Sequence, residues 1–218
     1  MTGVLTGIRV LDFGRYIAGP YCATMLGDLG AEVIRVEKVD GSEDRFYAPI
    51  SETGDCGATF AQMGRNKRGL TVNPRTPEGR EIVEALVKTA DVVVANLPPQ
   101  TLEAMSLDYE TLKAIKADII LTTNSAFGSG GPYSDRVGFD GVGQAMSGAM
   151  YLSGFPDQPQ KIYPPYVDFG TALYSALGTI AALMERDRTG KGCKVETSLF
   201  RTALSFNNAA LIEQATTA

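Results

Sequence analysis

Residues 7–37 decide the fold: Gly7-Ile8-Arg9-Val10-Leu11-Asp12-Phe13, then Gly14-Arg15-Tyr16-Ile17-Ala18-Gly19-Pro20, and, after a helical stretch, Glu32-Val33-Ile34-Arg35-Val36-Glu37. The first run is β-branched and apolar and reads as a strand. Pro20 suits the first position of a helix, in which Cys22, Met25, Leu26 and Leu29 recur at helical spacing before Gly30 stops it. The third run is a second strand, so the chain opens as a βαβ unit, which favours a parallel sheet. The pattern continues downstream. Pro77 opens a helix with Ile82, Leu86 and Val87 facing inward, and Asp91–Asn96 is a short apolar strand of the kind buried on both faces. Tyr109–Lys116 is helical and Asp118–Asn124 is the next strand. The expected architecture is α/β, a Rossmann-like open parallel sheet flanked by helices, spanning residues 1–200. Residues 40–62, rich in Gly, Ser, Asp and Glu, read as a long excursion outside the core. The glycine-rich run Ala126–Pro132 reads as a mobile loop. It lacks the Gly-x-x-x-x-Gly-Lys-Ser pattern of a P-loop.

Composition narrows the chemistry. At 218 residues with 44% hydrophobic content, the chain can bury a substantial core. A net charge of −5 argues against nucleic acid or an anionic membrane surface as a partner. Cys22, Cys56 and Cys193 are odd in number and widely spaced, which fits a reducing cytoplasm rather than a disulfide framework or a metal site. No uninterrupted apolar run reaches membrane-spanning length and no signal-peptide pattern opens the chain. There is no histidine, so Ser-His-Asp and Cys-His hydrolysis and histidine-based proton abstraction are excluded within this chain. A carboxylate nucleophile remains open, because it is already ionised at neutral pH and needs no general base.

Three places carry candidate chemistry. Asp168 lies between the extended Tyr163-Pro164-Pro165-Tyr166-Val167 and an apolar helix from about Gly170 to Asp187, with Leu173, Leu177, Ile180, Ala181 and Met184 as its stripe. At that position it is either an N-cap aspartate or a reactive carboxylate. Arg65, Lys67, Arg68 and Arg75 form a stretch without acids, which is either a solvated basic loop or a seat for an anionic nucleotide. Asn96 ends a strand where open α/β sheets bind ligands, and Glu37 ends the second strand where dinucleotide-binding folds contact ribose. A NAD-binding domain is therefore an alternative. The bulky Arg15, Tyr16 and Ile17 in place of Gly-x-Gly-x-x-Gly weigh against it.

Several motifs, spread from Leu11 to about Leu204, resemble the class III CoA-transferases, the CaiB–BaiF family. They are Leu11-Asp12-Phe13 with Ala18-Gly19-Pro20, Asn66-Lys67-Arg68, Arg75-Thr76-Pro77-Glu78-Gly79, Gly138-Phe139-Asp140, Asp168-Phe169-Gly170 and Arg188-Thr189-Gly190-Lys191-Gly192. The α-methylacyl-CoA racemases share the resemblance. They carry a catalytic histidine where this chain has Phe139, so the transferase is preferred. The resemblance implies that Asp168 is the nucleophile of an acyl-CoA:carboxylate CoA-transferase, working through mixed anhydrides and an aspartyl-CoA thioester. It implies coenzyme A or acyl-CoA as substrate, with contacts from Ile17, Ala18, Lys38, Val72, Asn73, Arg75, Asn96, Leu97, Met105, Arg136, Gly138, Phe139 and Asp140. Oxyanion donors are expected from the 14–18 turn and the start of the Asp168 helix. The family's aromatic after the asparagine and its following arginine are replaced by Leu97 and Ala104. A small carboxylic acid is the implied acceptor, with no tightly bound cofactor and no metal. Family members are interlocked homodimers about twice this long. Residues 201–218 are thus expected to start a helix leading to a second domain, the chain being a piece of a longer one or a split gene product. A non-catalytic CoA-binding fragment is the remaining alternative.

Overall fold

The computed structural model describes residues 3–217. The elements in chain order are β1 (Arg9–Asp12), α1 (Ala18–Asp28), β2 (Glu32–Glu37), α2 (Ala58–Gly64), β3 (Lys67–Thr71), α3 (Pro77–Val87), β4 (Val92–Ala95), α4 (Pro99–Ala104), α5 (Tyr109–Ile115), β5 (Ile120–Ser125), α6 (Asp140–Met146), α7 (Ala149–Ser153), α8 (Tyr166–Thr189), β6 (Lys194–Ser198), α9 (Leu199–Phe206) and α10 (Asn208–Thr217). The six strands form one parallel sheet in the order β3-β2-β1-β4-β5-β6. Strand order reverses between β1 and β4. That point leaves a crevice at the carboxyl ends of the strands, where such sheets take ligands.

Alternation along the strands builds a core on each face. Leu11, Phe13, Val93, Ala95 and Leu121 pack with α3, α4 and α5 residues such as Val83, Leu102 and Leu112. Val10, Val33, Val92, Val94 and Ile120 pack instead with Cys22, Leu26, Ala172, Ala176 and Leu183 of α1 and α8. Burial on both faces is why the strands read as short apolar runs rather than as alternating ones.

Several local readings are corrected. Pro20 is the third residue of α1, still inside the first turn where its missing N–H has no partner to lose. In α3 Val87 is buried and Leu86 packs partly against the core as expected, joined by Gly79 and Val83, but Ile82 is exposed. Residues 67–71 of the basic stretch form the edge strand β3. The helix expected near Arg201 is two helices, α9 and α10. Most of the apolar stripe of α8 faces outward: Leu173, Leu177 and Met184 are exposed while Ile180 packs partly on the core, and Thr171, Ala172, Ser175, Ala176 and Thr179 are buried. Small residues are buried because α8 lies close against the sheet, where a Cβ on Gly178 would sit 2.8 Å from Val195. By length and composition alone α8 could also cross a membrane, but half of its most apolar window is buried in this fold.

Candidate active site

A cleft of about 230 Å³ opens at the point where strand order reverses. Loops after three strands line it: residues 15–18 after β1, 96–99 after β4 and 124–126 with β5. Residues 134–139 close one side, and Asp168 and Leu199 complete the wall. Of the residues implied by resemblance, Ile17, Ala18, Asn96, Leu97, Arg136, Gly138, Phe139 and Asp168 are brought together here.

Asp168 is the third residue of α8 rather than its N-cap, because the helix begins directly after Pro164-Pro165. The capping is done by another carboxylate. Asp140 Oδ2 accepts the Val167 N–H at 2.8 Å and the Asp168 N–H at 3.3 Å. Its Oδ1 accepts from Gln144 Nε2 at 2.5 Å, and Gln144 Oε1 in turn accepts the Ile162 N–H at 2.9 Å. Asp140 is therefore buried and spent on positioning α8, not on lining the cleft. The Asp168 side chain is left free. Among the described residues neither of its oxygens accepts a hydrogen bond, and burial pushes its pKa up to about 7, helped by the nearby Asp140 charge and opposed by Lys161.

The turn after β1 is held from three sides. Asp12 Oδ1 accepts the Gly14 N–H at 2.8 Å, and Asn96 accepts the Arg15 N–H (2.7 Å) while donating to Arg15 O (2.8 Å). Asp44 Oδ2 accepts the Tyr16 N–H at 2.8 Å. Tyr16 has φ +60°, a conformation that costs a side-chain-bearing residue about 1 kcal/mol or more and must be held by its surroundings. The Tyr16 ring meets Phe139 edge-on at 5.4 Å across the cleft. Asp44 in turn is fixed by Arg35 Nη2 at 2.7 Å in a buried cluster that includes Asp12 and Lys67. Asp44 lies in the 40–62 stretch read as an excursion. Its role was not visible because an acid in a polar run carries no periodic signal.

These bonds revise the expected oxyanion donors. The N–H groups of residues 14, 15 and 16 are occupied, as are those of Val167 and Asp168. Among the described residues, the Ile17 and Ala18 N–H groups at the uncapped start of α1 have no acceptor. Both residues line the cleft at a helix N-terminus, where the backbone favours negative charge. Asn96 is likewise a clamp on the turn rather than a free ligand contact.

The remaining implied residues lie outside the cleft. Lys38 and the Val72–Arg75 turn follow the paired strands β2 and β3, so they sit at the same carboxyl edge of the sheet. Lys38 pairs with Glu43. Arg75 and Asn73 are exposed, and Arg75 forms no ion pair among the described residues. The side chains of Val72 and Met105 are buried in the core. The rest of the basic stretch is consumed internally: Lys67 by Asp12 at 2.8 Å, Arg65 by Asp28 at 2.6 Å and Arg68 by Glu32 at 3.1 Å. Glu37 is buried, accepts two bonds from Arg45 (2.7 and 2.9 Å) and one from the Ser42 N–H, and pairs with Arg35 at 3.4 Å, so it is not presented to a ribose. Among the described residues no cluster of side chains is suited to a metal ion.

Comparison with known proteins places this geometry. The family model for CoA-transferase family III matches residues 5–218. A succinyl-CoA–D-citramalate CoA-transferase from Chloroflexus aurantiacus is 39% identical over 207 residues, 92% of this chain and 50% of that protein. A succinate–glutarate CoA-transferase from Agrobacterium fabrum is 38% identical over 202 residues, 89% of this chain and 50% of that protein. The crystal structure of a CAIB/BAIF family protein from Brucella suis superposes with a TM-score of 0.94 at 38% identity, covering 100% of this chain and 58% of that one. The chain thus spans about half the length of the curated relatives it matches.

Proposed function

The chain belongs to CoA-transferase family III, and from that premise we propose that it forms the CoA-binding, nucleophile-bearing part of an acyl-CoA:carboxylate CoA-transferase. The observation that carries the reading is Asp168: an unbonded carboxylate in the cleft where strand order reverses. The relatives named for succinyl-CoA and succinate favour short dicarboxylates as the acyl groups.

In the proposed cycle, Asp168 attacks the thioester carbonyl of the donor. The C–S bond breaks, CoA leaves as thiolate, and a mixed anhydride joins the acyl group to Asp168. The thiolate then attacks the aspartyl carbonyl, releasing the donor's carboxylate and leaving an aspartyl-CoA thioester. The acceptor carboxylate attacks that thioester, and the second anhydride is resolved by thiolate attack on the acceptor's carbonyl, regenerating Asp168. No proton needs to move in any step, which suits a chain without histidine. Each tetrahedral oxyanion would be met by the free Ile17 and Ala18 N–H groups. The raised pKa of Asp168 helps attack, since a less stabilised carboxylate is the stronger nucleophile, but it also leaves part of the population protonated near neutrality. Phe139, edge-on to Tyr16, supplies no base for proton exchange, so the same cleft is unsuited to the two-base racemisation of the related racemases.

The test is mass spectrometry of the intact protein and of its proteolytic peptides after incubation with succinyl-CoA. The wild type should gain the mass of CoA less water on the peptide containing Asp168. Asp168→Ala should show no adduct and still bind CoA. An adduct that persists in Asp168→Ala would remove the assignment.

A further inference from the structure

We propose that Arg15 is the receptor for a second carboxylate on the substrate, so that this cleft selects dicarboxylic over monocarboxylic partners. The inference rests on the transferase reading only for the identity of the reacting end.

Arg15 lines the same cleft as Asp168. Its Nη1 donates to three backbone carbonyls, Gly14 O at 2.7 Å, Phe13 O at 3.1 Å and Val36 O at 3.3 Å. The head group is thereby fixed, and among the described residues its Nε and Nη2 edge is unbonded. That edge is one of the two forks through which a guanidinium grips a carboxylate with two parallel hydrogen bonds. Among the described residues no carboxylate lies within ion-pair distance of Arg15, whereas Arg9, Arg35, Arg45, Arg65, Arg68, Arg186 and Arg188 all have acidic partners. The nearby acids are committed elsewhere: Asp12 to Lys67, Asp44 to Arg35 and Glu37 to Arg45. Burial, with Arg35 close by, lowers the Arg15 pKa despite those acids, as expected of a cation short of counter-charge.

A strut between β1 and β2 would explain the Nη1 bonds but not the use of a half-buried, unpaired charge, which is costly to keep. The cleft that Arg15 and Asp168 share is lined mostly by apolar surface, with Tyr16, Ile17, Leu97, Val137, Phe139 and Leu199 contributing. An aliphatic chain suits them. One end would react at Asp168, whose own charge repels a second carboxylate, and the far end would reach Arg15. Arg136, the other cation on the cleft, is exposed and stacked on Tyr133 at 4.3 Å, at the solvent side.

The experiment compares binding of succinate, butanoate and CoA to the wild type, Arg15→Met and Arg15→Lys by ligand-observed NMR and calorimetry. A bidentate charge-assisted pair predicts that the wild type prefers succinate over butanoate by roughly tenfold or more. Arg15→Met should erase that preference while butanoate and CoA affinities stay within about twofold. Arg15→Lys keeps the charge without the fork and should lose most of the preference, and it carries the test if the methionine variant does not fold. Equal binding of the two acids by the wild type, or a preference that survives in both variants, overturns the proposal. So does a loss confined to CoA, which would assign Arg15 to a phosphate. If CoA fails to bind the wild type, the transferase reading falls, and the succinate comparison still decides Arg15.

Discussion

Replacing Asp168 with Asn should stabilise the protein, and by an amount that depends on pH. The carboxyl is raised from 3.8 to about 7, chiefly by burial and next by Asp140. Three units at 1.36 kcal/mol each set a ceiling of about 4 kcal/mol on the cost of ionising it in the fold. Two effects reduce that figure. An acid in the first turn of a helix gains up to about 1 kcal/mol from the backbone dipole. The side chain is also only partly buried, so solvent screens some of the penalty. A gain of about 1–3 kcal/mol is expected, or roughly 2–10 °C in Tm for a chain of this size. The sign follows from linkage. Between the unfolded pKa of 3.8 and the folded value of about 7, the native state binds the extra proton, so wild-type stability falls as pH rises and then levels off. Asp168→Asn cannot lose what it does not titrate. The stability difference should therefore be small near pH 4, grow through pH 5–7 and plateau above. Urea unfolding of both proteins from pH 4 to 8.5 measures it, with all other groups cancelling in the difference. An N-cap or first-turn aspartate that serves mainly to stabilise α8 predicts the opposite: a variant less stable at pH 8. That outcome, or a difference flat with pH, refutes the argument.

Two further outcomes follow from the surroundings of the cleft. Arg75→Ala and Lys38→Ala should each weaken CoA by about 1.5–3 kcal/mol while sparing pantetheine analogues, with Lys38 at the lower end because it must first release Glu43. Equal losses for CoA and pantetheine in calorimetry would place both residues away from the phosphates. Asp44→Asn removes the charge shared by Arg35 and the Tyr16 N–H, and should cost about 1–3 kcal/mol in urea unfolding because Arg35 keeps Asp12 and Glu37. It should also speed hydrogen exchange at the Tyr16 amide, and unchanged protection there would show that Asp44 does not hold the turn.

How much was legible in the sequence depended on how local the cause was. The βαβ opening, the both-faces-buried runs of β4 and β5 and the proline-started α3 were readable, because period, propensity and turn chemistry act over a few residues. The motifs also pointed to Asp168 and the turn at 14–18, which line the same cleft. The sequence left the basic stretch open because pairing partners are set by strand register: Lys67 meets Asp12, 55 positions away, only once β3 lies beside β2 and β2 beside β1. The direction of the α8 stripe was not legible for a similar reason. Periodicity finds an apolar face, but close approach of a helix to a sheet selects small residues for the buried one.

The sequence by itself determined the class of fold and the absence of histidine from this chain, and it singled out Asp168 as the acid proposed to react. Tertiary structure decided what that acid is. Asp140, 28 positions earlier, takes over the capping of α8, and burial raises the pKa of Asp168 and leaves its oxygens unbonded. Which backbone donors remain free was also settled only by the fold, since Asp12, Asn96 and Asp44 converge on the turn after β1 and leave Ile17 and Ala18 open. Hydrogen-bond capacity and desolvation are properties of assembled surfaces, and no stretch of chain contains them before the sheet brings its ends together.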